Sequence, residues 1–170
     1  MSDDTSGPDV TEVDPLEFRE VLGHFATGVT IVTTRDSDGN PHGLTANAFT
    51  SVSLDPPLVL VSVDKKAESH EHLGKSRFFC VNVLGEASED LSNKFAKSGG
   101  DKFEGVSHSD RHTGAPVLDD AIAWVDCHLD QVYEGGDHTL FMGRVTGLHA
   151  KGGRPLLYYA GKYHRLSDSD

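Results

Sequence analysis

The chain has 170 residues and a mass of 18.3 kDa, enough for one domain with a single core. Its 15 Lys plus Arg stand against 27 Asp plus Glu, a formal charge of -12, so duplex nucleic acid and anionic membranes would meet a repulsive field. No apolar run reaches the roughly 18 residues of a membrane span, and no secretory signal opens the chain, so the expectation is a soluble cytoplasmic protein.

Residues 1–14 are polar and acidic and read as a disordered tail, as do residues 167–170, leaving 15–166 as the folded domain. Asp14 at an N-cap, Pro15 at N1 and Glu17 at N3 start a helix. Phe18, Val21, Leu22 and Phe25 continue it at helical spacing, and Gly28 ends it. Val29 to Thr34 is a β-branched strand, and Asp38-Gly39 signals a hairpin.

The returning stretch, Gly43 to Pro57, carries Thr45, Asn47, Thr50, Ser51 and Ser53 at close spacing, with Gly43 free to bring backbone near a ligand. Such neutral donors and acceptors suit a flat polar or phosphate-bearing ligand; a strand whose hydroxyls merely satisfy the sheet would look similar. Asp55-Pro56-Pro57 forces a turn into a strand at Leu58 to Val63. Ser69 to Lys75 reads as a short helix, Phe78 to Leu84 as a strand, and Ser88 to Ala96 as a helix closed by Ser98-Gly99-Gly100.

Residues 104–116 lack periodicity and read as a loop lying over something. From Ala121 to Tyr133 apolar residues alternate, which predicts a half-exposed strand with Asp126, His128 and Asp130 on its outer face. Thr139 to Val145 and Leu156 to Tyr159, with Tyr163, bring the count to at least six strands around two or three short helices. Connections this short predict a mainly β, antiparallel barrel, since parallel neighbours need helix-length returns.

Cys80 and Cys127 lie in apolar strands without a C-x-x-C partner and read as buried free thiols. His70-Glu71-His72, and His108 with His112, are weak metal patterns, and no metal is expected. The chain has no G-x-G-x-x-G, P-loop, nucleophile elbow or H-E-x-x-H.

Five blocks in this order resemble the short-chain flavin reductase family, the NAD(P)H:flavin oxidoreductase components of two-component monooxygenases, which share the FMN-binding split barrel. They are F-A-T-G-V-T-I-V-T-T at 25–34, the Gly43 to Pro57 stretch, F-F-C-V-N-V-L at 78–84, G-D-H-T-L-F-M-G-R-V at 136–145 and P-L-L-Y-Y-A-G-K-Y at 155–163. The resemblance implies an antiparallel split β-barrel with a few flanking helices. It implies FMN or FAD held by Thr45, Ala46, Asn47, Thr50, Ser51, Val52 and Ser53, with Ser62, Asn82, Val83 and Leu84 from neighbouring strands.

On the same resemblance, Ser88, Phe95, Lys102 and Phe103 belong to the flavin site, the helix start near Ser88 and the Asp101-Lys102-Phe103 element meeting the phosphate. A helix N-terminus and a lysine charge suit an anion. His138 matches a histidine beside the nicotinamide of NADH or NADPH, and Asp137 either steadies the turn or meets ligand. Hydride transfer between cofactors needs no protein acid–base pair, which fits the absence of a catalytic triad. The family also implies a homodimer and a partner monooxygenase.

A non-catalytic FMN-binding electron-transfer or storage protein on the same barrel is the alternative. A pyridoxamine-phosphate-type oxidase would need a second basic pocket that the sequence does not display. Lys65-Lys66-Ala67 departs from the family's small hydroxyl residues, so these lysines could face a flavin phosphate, the reduced ring or solvent.

Overall fold

The computed structural model describes residues 13–167; the expected tails at 1–14 and 167–170 lie almost wholly outside them. Helix α1 (Pro15–Gly23) starts as expected, the Asp14 carboxylate accepting from the Leu16 and Glu17 amides at 2.7 and 3.2 Å. It stops five residues before Gly28. The His24 and Phe25 amides tighten onto Val21 and Leu22 carbonyls, and Thr27–Gly28 leaves as strand β1 to pair with Leu157–Tyr159 (β11).

The other strands are β2 (Thr30–Arg35), β3 (Pro41–Ala46), β4 (Phe49–Leu54), β5 (Pro57–Asp64), β6 (Phe78–Leu84), β7 (His108–Asp110), β8 (Pro116–Leu118), β9 (Ala121–Gly135), β10 (His138–Ala150) and β12 (Lys162–His164). Helices α2 (His70–Ser76) and α3 (Glu89–Ala96) lie between them. Seven strands form one antiparallel sheet in the order β3-β2-β6-β9-β10-β5-β4, with smaller sheets β1-β11-β12 and β7-β8.

The strand order dictates the shape. Flat, seven strands would set β3 and β4 about 29 Å apart. Yet these two edge strands are consecutive in the chain, joined only by Asn47 and Ala48, a link reaching at most about 11 Å. The sheet must therefore curl until its edges approach. They do not pair with each other; the Ser62 amide donates to the Ala48 carbonyl at 3.0 Å, which continues the β4–β5 ladder into the link. The product is a split antiparallel barrel, as expected.

Two larger apolar clusters pack on opposite faces of β2, beside a smaller one around Cys80, Ala115, Val117 and Trp124. Val32, Val61, Val63, Leu73, Phe79, Val81, Cys127 and Phe141 form one, and Val29, Ile31, Leu84, Phe95, Phe103, Leu118 and Leu156 the other. Both cysteines are buried free thiols; burial, aided by the nearby Asp126 charge, pushes Cys127 up to about 12 and Cys80 in the same direction.

The outward face expected for β9 is corrected at Asp126, which is fully buried. The 104–116 segment is not plain loop: β7 and β8 pair, and Thr113 caps the Asp126 carboxylate with its amide, at 2.9 Å, and its hydroxyl. A polar side chain on a half-exposed strand is thus covered by the β7–β8 hairpin, which strand alternation alone does not reveal. His128 faces solvent as expected.

Candidate functional site

A cleft of about 260 Å³ opens along the seam. Its floor is the end of β3 and the two-residue link, from Leu44 to Ala48. The end of β5 supplies Ser62, Val63 and Asp64, and the next turn Ala67 and Glu68. Phe95 to Ser98 at the end of α3, Lys102, and His138 at the start of β10 complete it. Residues far apart in sequence meet here because the barrel curls at this point.

Of the expected flavin residues, the cleft gathers Thr45, Ala46, Asn47, Ser62, Phe95 and Lys102, with the expected nicotinamide residue His138. The Thr45 hydroxyl is spent on the Ser92 carbonyl at 2.6 Å, tying β3 to α3. Asn47 is exposed, and Asn47 with Ser62 leaves neutral polar groups at the seam.

Two lysines line the cleft: Lys97 is exposed, whereas the Lys102 side chain is only 13% exposed. Its Nζ has long contacts alone: 3.4 Å to the Gly43 and Phe95 carbonyls and 3.8 Å to Glu68. Glu68 is itself engaged by the Gly99 amide at 2.7 Å. A half-buried ammonium with loosely held partners is suited to an anion. Lys102 and Glu68 also line an adjoining recess of about 220 Å³ with His42, Gly43, Ser69, Asp101 and Phe103, so the lysine stands between two connected hollows.

Other expected residues lie elsewhere. Thr50, Ser51, Val52 and Ser53 follow the edge strand β4, with Val52 at a register shift between Ser51 and Ser53 and mostly exposed. Thr50 faces a neighbouring recess of about 510 Å³ that shares Asn47, Ala48 and Ser62 with the cleft and is walled by Leu22, Phe25, Phe49 and Leu60. Asn82 is fully buried, donating at 3.1 Å to the Ile31 carbonyl and the Thr33 hydroxyl and accepting from the Leu118 amide at 2.8 Å. Leu84 is core, and Val83 pairs with Thr30 beside it.

Ser88 opens the N-terminal end of α3 onto a separate groove with Glu86, Asp90, Asp120 and Arg154. An eight-residue helix spans about 12 Å, and here its C-terminal end meets the cleft. Of the two groups expected to meet a phosphate, Lys102 lines the cleft and the helix start does not. Gly43 lines the adjoining recess and also admits α3 against β3: a Cβ there would lie 2.8 Å from the Phe95 ring.

His138 is partly exposed and its Nδ1 lies 2.7 Å from the Asp137 carboxylate, which the histidine holds below its ordinary range. The exposed Asp137 carboxylate is thus paired with the neighbouring ring. Asp64 and Glu68 were not anticipated. Only the charge complement to Lys102 pointed toward an acid here, and nothing local singled out Glu68.

The histidines pair differently from the sequence motifs. His72 stacks on His42, centroids 3.7 Å apart, and these two with Asp36 bring their ligating atoms within 4.8 Å of one another. Asp36 already caps the β2–β3 turn through the Asp38 and Asn40 amides, and its hydrogen bonds from His42 and Asn40 hold it well below its ordinary range. His108 and His112 pack separately against Phe103 and Trp124.

The seam of this split antiparallel barrel thus carries neutral donors, a largely buried lysine and a histidine in one cleft. The chain belongs to the flavin reductase like domain family, whose model matches residues 22–167. It is 43% identical over 150 residues to the "Probable flavin reductase" of Rhizobium meliloti, covering 88% of this chain and 48% of that one, so it spans about half of that relative's length. It is 43% identical over 152 residues to the reductase subunit of a Rhodococcus jostii flavin-dependent monooxygenase, covering 89% and 77%. Its fold matches a Streptomyces globisporus NADH:FAD oxidoreductase, solved in complex with NAD and FAD fragments, with a TM-score of 0.86 and 40% identity over 94% of this chain and 99% of that one. No helix among the described residues is long and apolar enough to cross a membrane.

Proposed function

We propose that this chain is an NAD(P)H:flavin oxidoreductase that passes a hydride from a nicotinamide nucleotide to FMN or FAD and supplies reduced flavin to a partner monooxygenase. The observation that carries the reading is the seam cleft itself, where uncharged donors, one half-buried ammonium and an exposed imidazole converge. The related oxidoreductase complexed with NAD and FAD fragments supports it.

The donor set fits a flavin. Asn47, Ser62 and the backbone of the link from Ala46 to Ala48 offer neutral hydrogen bonds for a polar ring, and Phe95 gives an apolar wall. Lys102 offers its charge to a phosphate from between the two hollows. When bound, the flavin supplies the hydride acceptor, so the chain needs no acid–base dyad. Its own work is to hold two rings in register and keep water from between them. His138, at the rim on β10, orients the nicotinamide nucleotide.

The same reading includes a homodimer that completes the site. Leu16, Phe18, Val21 and Leu22 of α1 and the following Phe25 are all more than half exposed, and α1 buries no residue in its own chain. A nine-residue helix without buried contacts is not held by propensity alone. A second copy seated on this face would cover the recess walled by Leu22 and Phe25, which adjoins the cleft at Asn47, Ala48 and Ser62.

The decisive assay follows NADH and NADPH consumption with no flavin, FMN, FAD or riboflavin added. Turnover that requires flavin, and prefers one nucleotide, is the expected result. Absence of turnover in every combination refutes the reading.

A further inference from the structure

Lys65 does not line the cleft, although it follows Asp64, which does. Its Nζ reaches the tip of the β9–β10 hairpin, donating to Glu134 Oε2 at 2.6 Å and to the Gly136 carbonyl at 2.8 Å. Its backbone amide donates to the Asp137 carbonyl at 3.0 Å. Three hydrogen bonds from one residue thus clasp the segment 134–137, and the next residue is His138. That histidine pairs with Asp64 across β5 and with Gly135 across β9.

The clasp meets a soft place. Gly135 and Gly136 adjoin there, Gly136 at φ +74°, and two glycines give the tip freedom that its sequence does not restrict. Among the described residues, the side-chain hydrogen bonds that reach the tip from outside the hairpin come from Lys65. The Lys65 ammonium holds Glu134 below the ordinary carboxylate range, consistent with a formed pair. An exposed ion pair of this kind contributes little to global stability. Its effect is on where the tip sits, and the tip carries His138.

We propose that Lys65 is a positioning residue for nicotinamide nucleotide binding, acting through the hairpin tip to hold His138 at the rim of the cleft. This rests on the assignment of His138 made above. It also settles the alternatives for Lys65: the side chain serves the hairpin and not a flavin phosphate or the flavin ring.

The test is a double-mutant cycle on the full chain with Lys65→Met and His138→Ala, reading KM for the nucleotide, kcat, flavin Kd and Tm. Lys65→Met is expected to raise the nucleotide KM roughly three- to tenfold, with flavin Kd changed by less than about twofold and Tm nearly unmoved. Lys65→Arg restores KM, since it can keep the Glu134 pair, and Glu134→Gln gives a partial rise. In the His138→Ala background, Lys65→Met adds no further rise. An additive rise, an equal loss of flavin affinity, or an unchanged KM in Lys65→Met while His138→Ala raises it would each overturn the role of Lys65. The His138→Ala arm alone separates the two claims: an unchanged nucleotide KM there removes the His138 assignment itself.

Discussion

Asn82 sits among Ile31, Thr33 and Leu118 with its amide donating twice and its carbonyl oxygen accepting once. Three strands, β2, β6 and β8, are stitched through this one buried side chain. Removing it strands two acceptors and a donor away from water, where each lost partner costs a desolvation penalty. Asn82→Ala is expected to lower unfolding free energy by about 2 to 4 kcal/mol in urea titrations. Flavin affinity of the folded fraction should stay the same, because the side chain is turned to the core and not to the cleft. A selective loss of flavin binding without a stability change would return Asn82 to the site.

Among elements, the contact between β3 and α3 governs the cleft. Gly43 lets the Phe95 ring lie against the strand, Thr45 bonds Ser92, and Lys102 and Ser69 both reach the Gly43 carbonyl. Gly43→Ala places a methyl 2.8 Å from the ring and 3.2 Å from the Val32 carbonyl, so Phe95 must shift. Overpacking of this kind costs about 1 to 3 kcal/mol. Because Phe95 and Lys102 line the cleft, the variant should also bind flavin more weakly, which fluorescence titration would read alongside thermal unfolding. Lower Tm with unaltered flavin affinity would mean that the cleft is insensitive to the seating of α3.

At the scale of the whole molecule, the apolar stripe of α1 is the feature that a single chain leaves unresolved. Its spacing predicts an amphipathic helix, and the helix forms, but the stripe finds no core in its own chain: Phe25 is 78% and Leu16 75% exposed. A charged pair there, Leu22→Glu with Phe25→Glu, should halve the mass seen by sedimentation and weaken flavin binding at the adjoining recess. Wild-type protein that sediments as a monomer at micromolar concentration would defeat the homodimer.

Local chemistry was enough for much of this. The Asp14 cap, the β-branched run from Val29, the Phe78–Leu84 strand and the Asp38-Gly39 turn are each written in neighbouring residues, because caps, turns and strand patterns depend on contacts a few residues away. The family resemblance then pointed to Thr45, Asn47, Ser62, Lys102 and His138, which the fold does bring together. What only tertiary structure decided depends on the curl of the sheet, which joins its first and last strands through two residues. That curl brings Lys102 and His138 into one cleft. Packing of the β7–β8 hairpin on the sheet covers Asp126 and engages Asn82, and β5–β10 pairing carries Lys65 to the hairpin of His138. These outcomes hang on long-range closure, whose energy is spread over contacts between segments that share no local pattern.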